Sequence, residues 1–385
     1  MKVAFVLDNM NFGGIERVAI NYMDILIRQG HEIDVIILNS KVDEIVKEIP
    51  KQCNVLYNNF PRTLCPEAYW TVAKKYRLGK YIFPILYFTL SILTPILRIF
   101  KGKRGKYDCA IAFSGHYNDL TYVANYIKAD KRYCWLHGGV TGYFLMSPGF
   151  YFLYRKIKNL VVLSKDYQEN AMITNKLDDC NITKLYNPVS ITAKSLDFQK
   201  IEKLRKDYGD FLLMVGRFSP QKDQITVINA IKILKTKYKR TMKILFVGDG
   251  PTRITAEKYA SDCGVSDLVI FEGMQSDVQN YYKAANIFVH SSPSEGLPTV
   301  LLEAMSYGVP IIATDSKPGV REILGENEYG LISPIKEAET MALNMDKLLS
   351  ERKLYEDYVK KGYERIQDFK PEVISKQLEI LLNDE

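Results

Sequence analysis

Two tandem Rossmann-like α/β domains are predicted for this chain by three observations. It has 385 residues, too many for one ordinary domain of about 100–200 residues. Short β-branched runs alternate with helical stretches, and they do so in two separate series. Each series opens with a strand that runs towards glycine: Val3–Leu7 towards Gly13-Gly14, and Phe211–Val215 into Gly216. The expected boundaries are 1–190 for the N-terminal domain and 191–370 for the C-terminal one.

The elements follow in order. After the strand Val3–Leu7, apolar Ile15, Val18, Ala19, Tyr22, Ile25 and Leu26 recur at helical spacing, and Gly30 stops the helix. Ile33–Leu38 is the next strand and completes a βαβ unit. Cys109–Phe113, Tyr133–Leu136, Leu160–Leu163 and Ile182–Tyr186 continue the series. Asn187-Pro188 marks a turn, and the polar residues beyond it read as a linker. The second series runs Phe211–Val215, Lys243–Val247, Leu268–Phe271, Ile287–His290 and Val309–Ala313. In such sheets ligands bind beyond the carboxyl ends of the strands, so two domains facing each other would make one cleft.

Composition narrows the function classes. A hydrophobic fraction of 47% and a charged fraction of 25% exclude a disordered or fibrous chain. The six cysteines contain no C-x-x-C pair, which predicts a reducing compartment and neither a disulfide framework nor a zinc site. The opening MKVAFVLDNM has no leader pattern. The net charge of +7 is uneven: residues 1–190 carry +9, the remainder −2, and residues 67–106 alone +8.

That basic stretch also holds the longest apolar run, Tyr81–Leu97. Lys74, Lys75, Arg77 and Lys80 precede it, and Arg98, Lys101, Lys103, Arg104 and Lys106 follow. Spanning a bilayer takes about 20 apolar residues, and this run is interrupted by Pro84 and Pro95. The expectation is an element lying on an anionic membrane surface, each basic residue contributing about 1 kcal/mol. The alternative is a core helix with solvated ends. Nucleic acid is not expected as a partner.

Several residues could carry chemistry. Gly13 and Gly14 open the first helix, where backbone amides suit an anion, although a tight turn explains them equally well. Gly216-Arg217 follows a strand and Lys222 lies five residues beyond; a guanidinium and an ammonium near one loop suit a diphosphate. Two solvated surface cations are the plainer explanation of that pair alone. Glu295 and Glu303 lie eight positions apart. Pro298 suits the first turn of a helix, which puts Glu295 and Gly296 in the loop before it and the amides of Gly296, Leu297 and Thr299 at its start. Carboxylates there would accept sugar hydroxyls. His137, just past a strand, is suited to bond a neutral ligand or to act as a base, although a satisfied structural histidine explains it equally well. The chain has no D-x-D, no phosphate-loop motif and no histidine spacing for a metal, so no metal site and no cofactor are expected.

Together these residues resemble family 4 glycosyltransferases, which have the GT-B fold. The resemblance rests on Gly216-Arg217 with Lys222, Val247-Gly248-Asp249-Gly250-Pro251, Glu295-Gly296-Leu297-Pro298 with Glu303-Ala304-Met305, and Gly308-Val309-Pro310 with Ala313-Thr314-Asp315. It extends more thinly to Gly13-Gly14, Gly30-His31-Glu32 and Leu136-His137-Gly138-Gly139. It implies a nucleotide-sugar donor, by family preference a UDP-sugar. Arg217 and Lys222 would grip its diphosphate, Glu303 its ribose, and Glu295 with the Gly296–Pro298 backbone the sugar. His137 would reach the sugar from the N-terminal domain, and Gly14 would offer an amide to the phosphate. It also implies retention of anomeric configuration, usually without metal, and a last helix, within 371–385, that returns to the N-terminal domain. The chain departs from the usual pattern at His290-Ser291-Ser292-Pro293-Ser294 and at Asp315-Ser316-Lys317-Pro318-Gly319.

The expected function is transfer of a hexose or N-acetylhexosamine to a growing bacterial surface glycan. The acceptor would be carried on a polyprenyl diphosphate, and the enzyme would be peripheral on the inner face of the cell membrane. Two other readings compete. A nucleotide-sugar epimerase shares the architecture but not the paired Glu295 and Glu303. A non-catalytic partner subunit would be expected to lose donor-site charges, and Arg217, Lys222, Glu295 and Glu303 are all present.

Overall fold

The structure is a computed structural model. It describes residues 1–60 apart from 12 and 42, then 65, 69, 73, 76–85 and 88–89, then 106–189 apart from 175, and 196–383. The chain divides into two compact units, one comprising Met1–Pro188 and Ile374–Glu385, the other Val189–Val373.

The first unit is built on a parallel sheet of seven strands: β1 (Lys2–Leu7), β2 (Glu32–Ile37), β3 (Asn54–Tyr57), β4 (Lys106–Ala112), β5 (Lys128–Leu136), β6 (Asn159–Val162) and β7 (Asn181–Lys184). Their spatial order is β3-β2-β1-β4-β5-β6-β7. Val3 pairs with Ile33 on one side and Cys109 on the other. The central strands are near-continuous apolar runs because helices cover both faces of a parallel sheet. Helix Gly14–Arg28 buries Val18, Ala19, Tyr22, Met23, Ile25 and Leu26. Tyr22 places its ring edge-on against Phe113 and Trp135, and its hydroxyl donates to the Tyr186 carbonyl at 2.8 Å. Gly30, at φ +80°, lets the chain turn sharply into β2.

The C-terminal helix Pro371–Asn383 packs on this unit. It buries Ile374, Leu378 and Leu382, one face at helical spacing. Gln29 donates to Ser375, and the Tyr133 hydroxyl donates to the Leu381 carbonyl at 2.9 Å. Val373, at the start of the same helix, is exposed.

The second unit has six parallel strands: β8 (Phe211–Val215), β9 (Lys243–Val247), β10 (Val269–Gly273), β11 (Ile287–His290), β12 (Ile311–Thr314) and β13 (Leu331–Ser333). Their order is β10-β9-β8-β11-β12-β13. Both units are Rossmann-like, and the architecture is GT-B. In each sheet the strand order reverses beside the first strand, between β1 and β4 and between β8 and β11. Loops leaving two such neighbours diverge and open a crevice at the carboxyl ends. That is where the candidate residues lie.

The two strands that the sequence reading missed, β3 and β13, are both sheet edges. β3 is four residues with half-exposed side chains, and β13 is three residues long, so neither carries a run of buried β-branched residues. The linker expected after Pro188 falls on residues 190–195, outside the described residues. So do residues 86, 87 and 90–105 of the basic apolar stretch. Of its described part, residues 79–85 are helical. Phe83 is buried with its ring against Tyr69, whereas Tyr81, Ile82, Ile85 and Phe88 are 49–68% exposed. Among the described residues no helix is long and apolar enough to cross a membrane, and no group of His, Cys, Asp or Glu is placed to hold a metal ion.

Candidate donor site at the carboxyl edge of the second sheet

The loop after β8 is fixed by the loop after β9. The Gly216 amide donates to the Val247 carbonyl and the Phe218 amide to the Asp249 carbonyl, each at 3.0 Å. Gly248 and Gly250 have φ of 141° and 154°, and a Cβ at either would collide with the carbonyl oxygen of Gly216 or Phe218. Both glycines of the Val247–Pro251 motif are therefore required by sterics. Phe218 is buried against the rings of Phe246 and Phe271. Arg217 is thus held by its backbone between two anchored neighbours, with its side chain exposed to solvent.

Lys222 lies at the end of this loop, before helix Gln224–Thr236. The neighbouring strand β11 ends at His290, and the Ser291 hydroxyl lies 2.8 Å from the Lys222 carbonyl and 2.9 Å from that of Asp223. This ties the two loops of the crevice together. Lys222 Nζ then meets Glu295 Oε1 at 2.5 Å, and His290 Nε2 lies 3.5 Å from the same oxygen. Burial alone would push the Glu295 carboxyl up; His290 and Lys222 outweigh it and hold the group down at about 2. Glu295 is thus ionised across the physiological range.

The backbone around Glu295 is also held. The Gly319 amide donates to the Glu295 carbonyl at 3.2 Å, and a Cβ on Gly319 would collide with the Gly296 carbonyl. Leu297 is buried. Pro298 is the N-cap and helix Thr299–Ser306 begins one residue later, so Pro298 stands just outside the first turn where the sequence reading put it. Its ψ of 99° is extended and keeps it out of the helix. Glu303 projects from that helix and accepts from the Tyr282 hydroxyl at 2.9 Å. Tyr282 in turn stacks on Tyr307.

In the first unit the corresponding edge is different. Gly13 is the N-cap of helix Gly14–Arg28, and a Cβ on it would collide with the Glu16 carboxylate, while Gly14 is open. His137 follows β5, and its Nε2 lies 2.7 Å from the Phe113 carbonyl. That bond assigns the proton to Nε2 and leaves Nδ1 as an acceptor. Burial pushes the imidazole down; the Phe113 bond opposes this, and the balance is about 4. His137 is therefore neutral and a weak base. A neutral ring with Nδ1 as acceptor fits the bonding of a neutral ligand.

The sequence reading missed a polar cluster beside His137. Asn118 donates to buried Asp8 at 2.9 Å, and His116 Nδ1 lies 3.4 Å from the other Asp8 oxygen. Asp119 accepts from the Gly115 amide at 3.0 Å, and burial pushes its carboxyl up to about 7. The available signal was a set of polar residues directly after the apolar strands β1 and β4. His290 was read only as a departure from a family pattern; its signal was a histidine closing a fully buried strand.

The loops at the switch point of the second sheet thus bring Lys222 and Glu295 together, with Arg217 exposed on the first of them. Residues 197–365, most of the second unit, match the family model described as Glycosyl transferases group 1. The chain is 25% identical over 359 residues to an uncharacterized glycosyltransferase of Haemophilus influenzae, covering 92% of each. It is 26% identical over 206 residues to a Campylobacter jejuni protein named N-acetylgalactosamine-N,N'-diacetylbacillosaminyl-diphospho-undecaprenol 4-alpha-N-acetylgalactosaminyltransferase, covering 53% of each chain. The structure of Anabaena HepE in complex with UDP and glucose superposes with a TM-score of 0.73 at 18% identity, covering 99% of each chain.

Proposed function

We propose that the protein is a retaining glycosyltransferase that moves a hexose or N-acetylhexosamine from a UDP-sugar to a lipid-linked or growing bacterial surface glycan, without a metal ion. The observation that carries the reading is the Lys222–Glu295 pair, which sets one cation and one permanently ionised carboxylate at the carboxyl edge of the second sheet. Departure of a nucleoside diphosphate leaves negative charge, and Arg217 with Lys222 would supply the positive field where it grows. Glu295 would accept hydroxyls of the transferred sugar, Glu303 those of the ribose, and the amides of Gly296, Leu297 and Thr299 would line the same donor. His137, neutral and with Nδ1 as acceptor, would bond a sugar hydroxyl.

Two relatives support the substrate classes by their names: the Campylobacter protein is named for a diphospho-undecaprenol acceptor, and the Anabaena structure holds UDP and glucose. Exposure of Tyr81, Ile82, Ile85 and Phe88 beside Arg77 and Lys80 supports docking of this stretch on an anionic membrane surface. The test is a proton NMR assay of donor consumption with added acceptor, run with and without EDTA. An axial anomeric linkage formed from an axial donor at an unchanged rate in EDTA is the expected result. An inverted product, or activity abolished by EDTA and restored by a divalent cation, would refute retention or metal independence respectively.

A further inference from the structure

His290 closes β11 and is 1% exposed. A buried polar group without a hydrogen-bond partner costs about 1–3 kcal/mol. Among the described residues neither ring nitrogen makes a hydrogen bond, and Nε2 lies 3.5 Å from Glu295 Oε1. The same oxygen carries Lys222 Nζ. Lys222 thus donates to one carboxylate oxygen, and His290 Nε2 faces that same oxygen at 3.5 Å.

The two donors differ in what holds them. Lys222 reaches Glu295 from a loop, at the end of a flexible four-carbon stem. His290 is the last residue of a central strand, paired with Ala313 of β12, and is buried. The Glu295 backbone is fixed by Gly319 and by its bridge to Pro318. What the backbone leaves open is the orientation of the carboxylate.

We infer that His290 is a positioning residue: its Nε2–H holds the Glu295 carboxylate in the orientation that receives the donor sugar, so that sugar recognition persists when Lys222 turns to the diphosphate. This rests on the proposed function, in which Lys222 and Glu295 serve different parts of one donor. Burial keeps the imidazole neutral, so that it donates one hydrogen bond and adds no charge beside the phosphates. The strand end thereby separates two tasks, diphosphate binding by a mobile cation and sugar recognition by a fixed carboxylate.

The experiment compares calorimetric affinities of the full chain for UDP, UDP-glucose and UDP-N-acetylglucosamine. The readout is the gain in affinity that the sugar adds over UDP. In His290→Leu the affinity for UDP is expected to stay within about twofold, while the sugar's gain falls about tenfold, near the 1.4 kcal/mol of one hydrogen bond to a charged group. His290→Gln, which keeps a donor, is expected to recover most of it. An unchanged gain in a folded His290→Leu protein overturns the inference, as does equal loss for UDP and UDP-sugar. Nitrogen NMR of the wild-type histidines tests it without substitution: Nε2 protonated is expected, and a proton on Nδ1 refutes it. Wild-type protein that binds neither UDP nor UDP-sugar would remove the proposed function, while the tautomer would still decide the geometry at Glu295.

Discussion

The two sheets share their winding and finish in opposite chemistry. At the carboxyl edge of the second, Glu295 is held ionised, with its carboxyl down at about 2, by a lysine and a histidine. At the edge of the first, His137 is held neutral, down at about 4, by burial, which outweighs the opposing bond to the Phe113 carbonyl. The difference shows that a Rossmann-like frame fixes where a ligand goes but not what charge it meets. The Lys222–Glu295 pair suits a nucleoside diphosphate with its sugar, and the neutral His137 ring suits a hydroxyl.

The comparison breaks most sharply if the charged edge is neutralised. Glu295→Ala and Lys222→Ala are each expected to lower kcat/KM about 10²–10³-fold while a single cooperative unfolding transition is retained. Activity near wild type in both would transfer the donor site elsewhere. His137→Asn, at the neutral edge, is expected to cost less, about tenfold, because one hydrogen bond to a neutral group is lost.

The glycines sharpen the same contrast. Gly248→Ala would drive a Cβ into the Gly216 carbonyl at φ 141°, and is expected to destabilise the second unit by about 1–3 kcal/mol in denaturant titration. Gly14→Ala meets nothing within 4 Å, and is expected to change stability by less than about 1 kcal/mol. Equal effects would mean that the interlock between the β8 and β9 loops is not what fixes Arg217.

Acid should separate the two edges in order. The His137 imidazole is depressed, so its neutral form contributes stability that is present above the unfolded value near 6.5 and is lost as pH falls through about 4. The Glu295 carboxyl is also depressed, so its contribution is present above about 4.5 and is lost as pH falls towards 2. Denaturant midpoints of wild type against His137→Asn should therefore converge between pH 6.5 and 4. The difference from Glu295→Gln should change only below about 4.5. Convergence in the reverse order would contradict the assigned protonation states.

Much of this was legible in the sequence because the central strands are buried on both faces and write themselves as apolar runs. Phe211–Val215, Lys243–Val247 and Ile287–His290 were read at their observed bounds. The edge strands β3 and β13 were not, since an edge needs neither length nor full burial. Lys222 and Glu295 were legible as residue types in a motif, but their contact was not. Seventy-three positions separate them, and only the adjacency of β8 and β11 brings them together. The role of Gly248 and Gly250 was hidden for the same reason: the carbonyls they must clear belong to another loop. His290 could have been noticed, because a polar ring at the end of four buried positions needs a partner.

Sugar transfer to lipid tests the central claim most directly. The protein would be incubated with radiolabelled UDP-glucose, UDP-galactose or their N-acetyl forms and a bacterial extract containing lipid-linked glycans, and the organic phase counted. The account predicts label in that phase from one donor with wild type and none with Glu295→Ala. No consumption of any donor, or equal labelling by both proteins, would contradict it.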